Sequence, residues 1–351
     1  MFRIEVQPAG LTFESAPEDT LLHSAQLARV GLPYGCQDGA CGSCKCKVLS
    51  GQVEQGPHQS SALSAQEEAE GWILSCTSRA RSDVVLEARI VAGLADYPVS
   101  KMPVRVQALE RLADDVMRVR LQLPATSPFR FRAGQYVDVL LRNGDRRSYS
   151  MASAPHDLGE PAAVDFHIRH LPGGAFTDHV FGAMKERQIQ RIEGPLGTFF
   201  LRDDSSKPMI FLGSGTGFAP LKAMLDDWAH KAQTAEAGAP AQRPVTLYWG
   251  GRRLSDLYMH DWCEQFAANN PLMRYVPVLS DSAPEGWKGR TGFVHHAVMA
   301  DFPDLSAHEV YACGVPIMVD SARADFTAKC GLPADAFYAD SFVSEADKAK
   351  G

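Results

Sequence analysis

Cys36-Gln37-Asp38-Gly39-Ala40-Cys41-Gly42-Ser43-Cys44 is the stretch around which the chain is organised, and Cys76 follows 32 positions after its last thiol. Cysteines separated by four and then two residues, with a distant fourth, have the plant-type spacing that holds a [2Fe-2S] cluster. Each iron takes two thiolates, so four suffice. A cluster seated on a tight loop needs main-chain amides aimed at its sulfides, and Gly39 and Gly42 permit that turn. Zinc also accepts four thiolates, although zinc ribbons offer two similar short pairs rather than a trio and a single. A disulfide knot is open on cysteine count alone. The expected metal ligands are Cys36, Cys41, Cys44 and Cys76. Cys46, two residues past Cys44, is left unligated.

The chain has 351 residues, 45% hydrophobic and 22% charged, which suits about three globular domains with real cores. A net charge of −7 argues against nucleic acid or an anionic membrane as the main partner. Residues 1–90 hold seven Lys/Arg against eleven Asp/Glu, so the cysteine-bearing part is acidic. Such a surface can dock on a basic patch, solvation being the plainer reading. Met1-Phe2-Arg3-Ile4-Glu5-Val6 alternates like a strand and has no leader pattern, and no apolar run reaches bilayer length. With eight cysteines read as ligands and free thiols, the expected compartment is the cytoplasm.

Along residues 1–93 the pattern predicts strands at 3–6 and 11–14, a helix over 21–29, a strand over 45–50, a helix over 64–71 and a closing strand over 84–91. Ser64 and Glu67 stand at the capping-box positions of the second helix. Residues 94–101 read as a linker, and from 102 to 204 short alternating strands at 104–106, 116–123, 136–141 and 164–170 suggest an antiparallel barrel. From 205 to 343 strands alternate with helices, the signature of a parallel α/β sheet: strands at 209–213, 245–249, 274–279 and 309–312, helices at 219–232 and 256–268. Residues 233–242 read as a surface loop and 344–351 as a disordered tail.

Two constellations carry further chemistry. Arg146-Arg147-Ser148-Tyr149-Ser150 ends a strand pattern, so Arg147 and Tyr149 share a face: a phosphate ligand and a ring cover, with Ser150 at the corner able to hydrogen-bond a ring nitrogen. Downstream, Gly173-Gly174-Ala175-Phe176-Thr177 places two glycines before a helix expected near Thr177, which leaves amides for a pyrophosphate. The second constellation begins at Gly213-Ser214-Gly215-Thr216-Gly217-Phe218-Ala219-Pro220, where a strand runs through a glycine loop into a helix, the order a phosphate cradle requires. It is completed by Tyr311-Ala312-Cys313-Gly314-Val315-Pro316, where another strand stops at a small-residue turn. Strand carboxyl ends line the ligand crevice of such a sheet, so the glycine loop and Cys313 could face one cofactor. Trp249-Gly250-Gly251-Arg252-Arg253 and Asp256 follow a middle strand; an acid there favours two ribose hydroxyls, arginines a 2′-phosphate, and the reading taken is NADH with NADPH as the alternative.

Carrying R-x-Y-S, G-G-x-x-T, G-T-G-x-A-P and Y-x-C-G-x-P in this order, the chain resembles the ferredoxin-NADP reductase superfamily. The resemblance implies a multidomain α+β and α/β fold: a β-grasp ferredoxin domain, an antiparallel β-barrel flavin domain and a parallel α/β nicotinamide-binding domain. It implies FAD, or FMN, with Arg147 at the phosphate, Tyr149 against the isoalloxazine, Ser150 near its N5, His167 and Ile168 on the strand at the ribityl and pyrophosphate region, and Gly173, Gly174 and Thr177 at the pyrophosphate. For the nicotinamide coenzyme it implies Gly213, Gly215, Thr216, Gly217, Pro220, Arg252, Asp256 and Gly314, with Cys313 beside the reacting ring carbon; Phe342 falls where some relatives bring an aromatic to the flavin. Ser150 and Cys313 are the expected catalytic residues.

Met102-Pro103-Val104-Arg105-Val106, Gly197-Thr198-Phe199-Phe200-Leu201 and Tyr248-Trp249-Gly250-Gly251-Arg252 bring the chain nearer to the CDP-6-deoxy-3,4-glucoseen reductases of deoxysugar synthesis. The implied activity is electron transfer from NADH through flavin and [2Fe-2S] to a terminal acceptor protein, by a monomer that docks transiently. Two acceptors fit, an iron-sulfur dehydrase and an oxygenase component. A non-catalytic redox sensor or binding module is the reading of another class, and it has no use for Arg147, Tyr149, Ser150, Gly215 and Cys313 together.

Overall fold

A computed structural model describes residues 1–126, 129–234 and 242–343. The described chain divides into two compact units, one of Met1–Val99 with Leu196–Thr198 and residue 343, the other of Ser100–Pro195 with Phe199–Phe342. The expected loop at 233–242 and tail at 344–351 lie largely outside the described residues.

In the first unit a five-stranded mixed sheet runs in the order Leu11–Ser15, Phe2–Gln7, Val84–Glu87, Lys45–Ser50, Trp72–Leu74. Phe2–Gln7 pairs antiparallel with the first of these and parallel with Val84–Glu87. Helix α1 (Leu21–Leu27) buries Leu21, Leu22 and Ala25 in the core beside Ile4, Val6 and Leu86. Thr20 caps it by accepting the His23 amide, and Arg29 in the left-handed region (φ 59°) ends it earlier than the apolar spacing predicts. Helix α2 (Ala65–Ala69) starts from the capping box expected of Ser64 and Glu67.

In the second unit the chain first builds a six-stranded antiparallel sheet, ordered Arg146–Ser150, Tyr136–Leu140, Ile189–Leu196, Ser100–Ala113, Val116–Gln122, Ala163–Arg169. The barrel expected here does not close into a ladder. The two edge strands meet at a single bridge, Met151 to Phe166. Beyond it Ala152 donates to the Asp165 carbonyl, but the Asp165 amide donates to the Ser153 hydroxyl, so a side chain replaces the next ladder bond and the seam stops. Helix α3 (Ala175–Gly182) covers one end with Phe176 and Val180.

The remaining sheet is wholly parallel, in the order Arg290–Thr291, Met273–Leu279, Val245–Gly251, Met209–Ser214, Glu309–Gly314, Phe337–Ser341. Successive residues of its first strand face opposite cores. Phe211 joins α4 (Phe218–Thr234) and α5 (His260–Asn269), whereas Ile210 and Leu212 join α6 (Val294–Asp301) and α7 (Pro316–Lys329). Strand order reverses between Met209–Ser214 and Glu309–Gly314, and the crevice at such a switch point is where open α/β sheets bind ligands.

Candidate functional site

The four cysteine sulfurs fall into two pairs. Cys44 Sγ lies 3.2 Å from Cys76 Sγ, and the Cys36 amide donates to Cys41 Sγ at 3.3 Å, with the Cys36 and Cys41 thiols also bonded to each other. Among the described residues no three of these sulfurs lie within 4.8 Å of one another. A tetrahedral zinc would hold all four at about 3.8 Å from each other, given bonds of about 2.3 Å. Two pairs fit two irons and not one zinc, and all eight cysteines are unbridged, which removes the disulfide knot. Gly39 and Gly42 both have positive φ, 80° and 71°, and a side chain on Gly39 would meet the Pro57 carbonyl at 2.8 Å. Gly35, which the sequence reading passed over, opens toward the sulfurs themselves: a Cβ there would sit 3.0 Å from Cys41 Sγ. Cys46 is buried in the core, and burial pushes its thiol up to about 12, which keeps it protonated.

On the edge strand Arg146–Ser150, Arg147 donates to the Arg146 carbonyl and pairs with Asp145 at 3.3 Å, while Tyr149 packs against Phe176 of α3 at 5.3 Å between ring centroids. Burial keeps the Tyr149 hydroxyl a neutral phenol. The glycine pair before α3 is less free than its spacing suggests. The Gly173 amide donates to Asp178 Oδ2 at 3.1 Å and the Gly174 amide to the Leu171 carbonyl at 2.8 Å. Thr177 is spent on both main-chain groups of Leu171. The amides left for an anion are those of the first turn, 175–177, one step inside the helix. On Ala163–Arg169, Ile168 points into the sheet core, so only its main chain at the sheet edge is open to a ligand. His167 faces the other way. Its Nδ1 lies 3.1 Å from the Tyr258 hydroxyl, and burial, helped by Lys222 and Arg118, holds it neutral with its pKa lowered to about 3.

At the switch point the two nicotinamide motifs touch. A Cβ on Gly217 would lie 2.2 Å from the Cys313 carbonyl oxygen, and one on Gly314 2.1 Å from Ser214 Oγ, so both glycines are demanded by close approach of the loop to the strand. Gly213 packs beneath Leu221, Thr216 and Gly215 form the turn into α4, and Pro220 is buried in its first turn. Trp249 donates to the Gly215 carbonyl at 3.1 Å and stacks on Phe218 at 4.0 Å, which fixes the loop from below. Cys313 is fully buried, and burial holds its thiol well above the ordinary range, with Asp340 adding to the rise.

Asp340 is the residue that sequence reasoning missed. It stands on Phe337–Ser341 directly opposite Cys313 in register, and Ser150 Oγ donates to its Oδ2 at 3.2 Å. Asp340 is thereby a neighbour of both Ser150 and Cys313, and the Phe342 amide donates to the Gly314 carbonyl one residue on. Arg169 was likewise not selected. Asp115 holds one arm of its guanidinium, the other nitrogen is buried with no hydrogen-bond partner, and it lies 3.7 Å from where a Gly215 Cβ would be. A guanidinium with one buried N–H left unpartnered beside a glycine loop fits an anionic group. Asp256 departs from expectation. It does not open the fifth helix, which starts at His260, because its carboxylate accepts the Arg252 and Arg253 amides at 2.8 and 3.2 Å and holds a separate turn. Arg252 is mostly exposed above it.

Comparison with known proteins agrees with this geometry. A family model for 2Fe-2S iron-sulfur cluster binding domains matches residues 4–81, one for oxidoreductase FAD-binding domains residues 103–201, and one for oxidoreductase NAD-binding domains residues 211–324. The CDP-6-deoxy-L-threo-D-glycero-4-hexulose-3-dehydrase reductase of Yersinia pestis is 38% identical over 97% of this chain and 98% of its own. Reductase component 1 of the terephthalate 1,2-dioxygenase of Comamonas is 33% identical, covering 97% of each. Among solved structures, the cytochrome P450 reductase GcoB of Amycolatopsis superposes with a TM-score of 0.75 at 32% identity, over 97% of this chain and 99% of that one. With iron-sulfur, FAD and NAD modules in one polypeptide and full-length relatives above 30% identity, the chain belongs to the iron-sulfur flavoprotein reductases of the ferredoxin-NADP reductase superfamily.

Proposed function

We propose that the protein takes electrons from NADH through FAD to a [2Fe-2S] centre and delivers them singly to a partner protein, as the reductase of an iron-sulfur dehydrase acting on a CDP-linked deoxyhexulose. The observation that carries the electron-entry part of this reading is Asp340, which accepts the Ser150 hydroxyl of the flavin signature and stands opposite Cys313 in the nicotinamide sheet. In domain terms, residues 1–93 are the β-grasp cluster module, 94–101 a linker, 102–204 the flavin module and 205–343 the nicotinamide module; the mixed sheet with α1 across it supports the first assignment. When bound, the three groups supply hydride donation, splitting of an electron pair and single-electron delivery.

The chain's own residues do the positioning. Gly217 lets the glycine loop lie on Cys313, so a bound coenzyme ring would meet a small neutral thiol that neither attacks nor charges it. Ser150 presents its hydroxyl toward the flavin edge, held by Asp340. Arg169 and the first turn of α3 supply positive ends for the two pyrophosphates, Arg147 a cation and Tyr149 a ring for the flavin. Cys36 with Cys41 and Cys44 with Cys76 are the two ligand pairs. Among the described residues no helix is long and apolar enough to cross a membrane, and the eight unbridged thiols suit a cytoplasmic monomer that docks its acceptor transiently.

Cys313→Ala is expected to slow flavin bleaching by NADH about tenfold to a hundredfold, because the ring loses the wall that sets its approach. Iron-sulfur and flavin absorption should be unchanged. A stopped-flow rate equal to wild type removes Cys313 from the site. The acceptor is tested by mixing NADH-reduced protein with an iron-sulfur dehydrase and, separately, with an oxygenase component. Fast cluster reoxidation by the oxygenase alone replaces the dehydrase assignment.

A further inference from the structure

Away from the cofactor crevice, two histidines and an aspartate converge on the outer face of the parallel sheet. His295 and His296 open α6, and Asp325 lies on α7. His295 Nε2 is 3.6 Å and His296 Nε2 3.9 Å from the same atom, Asp325 Oδ2, and the three ligand atoms all lie within 4.8 Å of one another. Around a tetrahedral cation with bonds of about 2.0–2.1 Å, neighbouring ligand atoms stand about 3.3 Å apart, so each imidazole closes on the carboxylate by about half an ångström and the two imidazole nitrogens on each other by at most about 1.5 Å, within reach of side-chain rotation. Lys329 occupies the other carboxylate oxygen at 2.7 Å and leaves Oδ2 facing the imidazoles. The two rings are 4.2 Å apart, and Phe293 packs beside both. His295 is buried and His296 exposed, so the set has a fixed inner ligand and an outer one with room for water to complete the shell.

We propose that His295, His296 and Asp325 bind one divalent cation of the zinc class and thereby tie α6 to α7. Two imidazoles and one carboxylate select zinc, copper or nickel over magnesium or calcium, which want oxygen ligands. The tie has a structural target. Val294, the first residue of α6, packs where a Cβ on Gly250 would lie 3.0 Å away, on the strand that leads into the Arg252–Asp256 turn.

The test uses the holoprotein with flavin and cluster in place, titrated with Zn²⁺ by calorimetry. One equivalent is expected, with affinity at least about tenfold weaker in His296→Ala and in Asp325→Asn, since loss of even an outer partner of a metal ligand costs that much. His296 is exposed and Asp325 lies on the helix surface, so both variants should fold and keep wild-type NADH oxidation. Lys329→Met, which frees the carboxylate from its cation, should tighten binding. Cu²⁺ added to the oxidised holoprotein should give a resonance split by two nitrogens in wild type and by one in His296→Ala. Absence of binding in wild type, or equal zinc stoichiometry and affinity in wild type, His296→Ala and Asp325→Asn, overturns the proposal.

Discussion

Cys76→Ser yields a protein whose flavin is still bleached by NADH but which delivers no electrons above background to a one-electron protein acceptor. The argument starts from the pairing of the thiols. Cys76 is the distant partner of Cys44, 3.2 Å away, and the Gly39 amide also bonds its sulfur. Serine preserves shape to within one atom but offers an alcohol that stays protonated near neutral pH, so one iron is left with a single thiolate. Because metal binding is coupled to folding, losing the cluster also loosens the loop of residues 36–44, which is built of bends and turns rather than helix or strand. The lesion stays within the first compact unit. Arg147, Tyr149, Ser150, Gly217 and Cys313 all belong to the other unit, and their contacts do not run through Cys76. The measurement is paired: iron-sulfur absorption and acceptor reduction should vanish, while the stopped-flow rate of flavin reduction stays within twofold of wild type. Loss of both shows that flavin and coenzyme depend on an intact cluster domain, and the independence argued here fails.

The sequence made the chemistry legible where spacing alone enforces it. Four thiols at fixed intervals admit few occupants, and the strand and capping-box signals on either side matched Lys45–Ser50 and α2. The glycine loop and Cys313 were each readable, and the need for both glycines, 217 and 314, becomes clear only when loop and strand are seen to touch. What escaped was set by tertiary contact. Phe337–Ser341 has no repeating pattern long enough to mark a strand, yet as the last strand of the sheet it carries Asp340 to Ser150 and Cys313. Arg169 lies on the strand expected at the ribityl and pyrophosphate region, but only the structure shows that its second nitrogen is buried without a partner. The barrel failed to close for a comparably local reason, a Ser153 hydroxyl taking a main-chain donor that ladder pairing would have used. Asp256 was misread as a helix start because a carboxylate that gathers amides three and four residues back looks, in sequence, like one that caps forward.

Gly217→Ala is expected to slow hydride transfer on the order of a hundredfold, at least as much as side-chain deletion at Cys313. Three atoms decide this, the carbonyl oxygen and carbon of Cys313 and the amide nitrogen of Gly314, at 2.2, 2.5 and 2.7 Å from the position of the new methyl group. All are main chain at the carboxyl end of a strand paired on both sides, so none can rotate aside as a flexible side chain would. The loop itself must move by about an ångström or more, and misplacement on that scale costs hydride transfer on the order of a hundredfold. Two other glycines separate this cause from loss of flexibility. Gly173 has a φ of 84° and nothing within 4 Å of a Cβ, so alanine there costs only left-handed strain, about 1–2 kcal/mol, and leaves the nicotinamide loop alone. Gly182, at the end of α3, has open space around it and no positive φ, so Gly182→Ala should be neutral or stabilise by about 0.4–1 kcal/mol. Single-turnover reduction of the flavin by NADH ranks the three: a large loss for Gly217→Ala with flavin and cluster spectra intact, little change for the others. If Gly217→Ala reduces its flavin at the rate of Gly182→Ala, the glycine loop does not need to lie on Cys313, and the crevice between those two strands is not where the coenzyme ring is held.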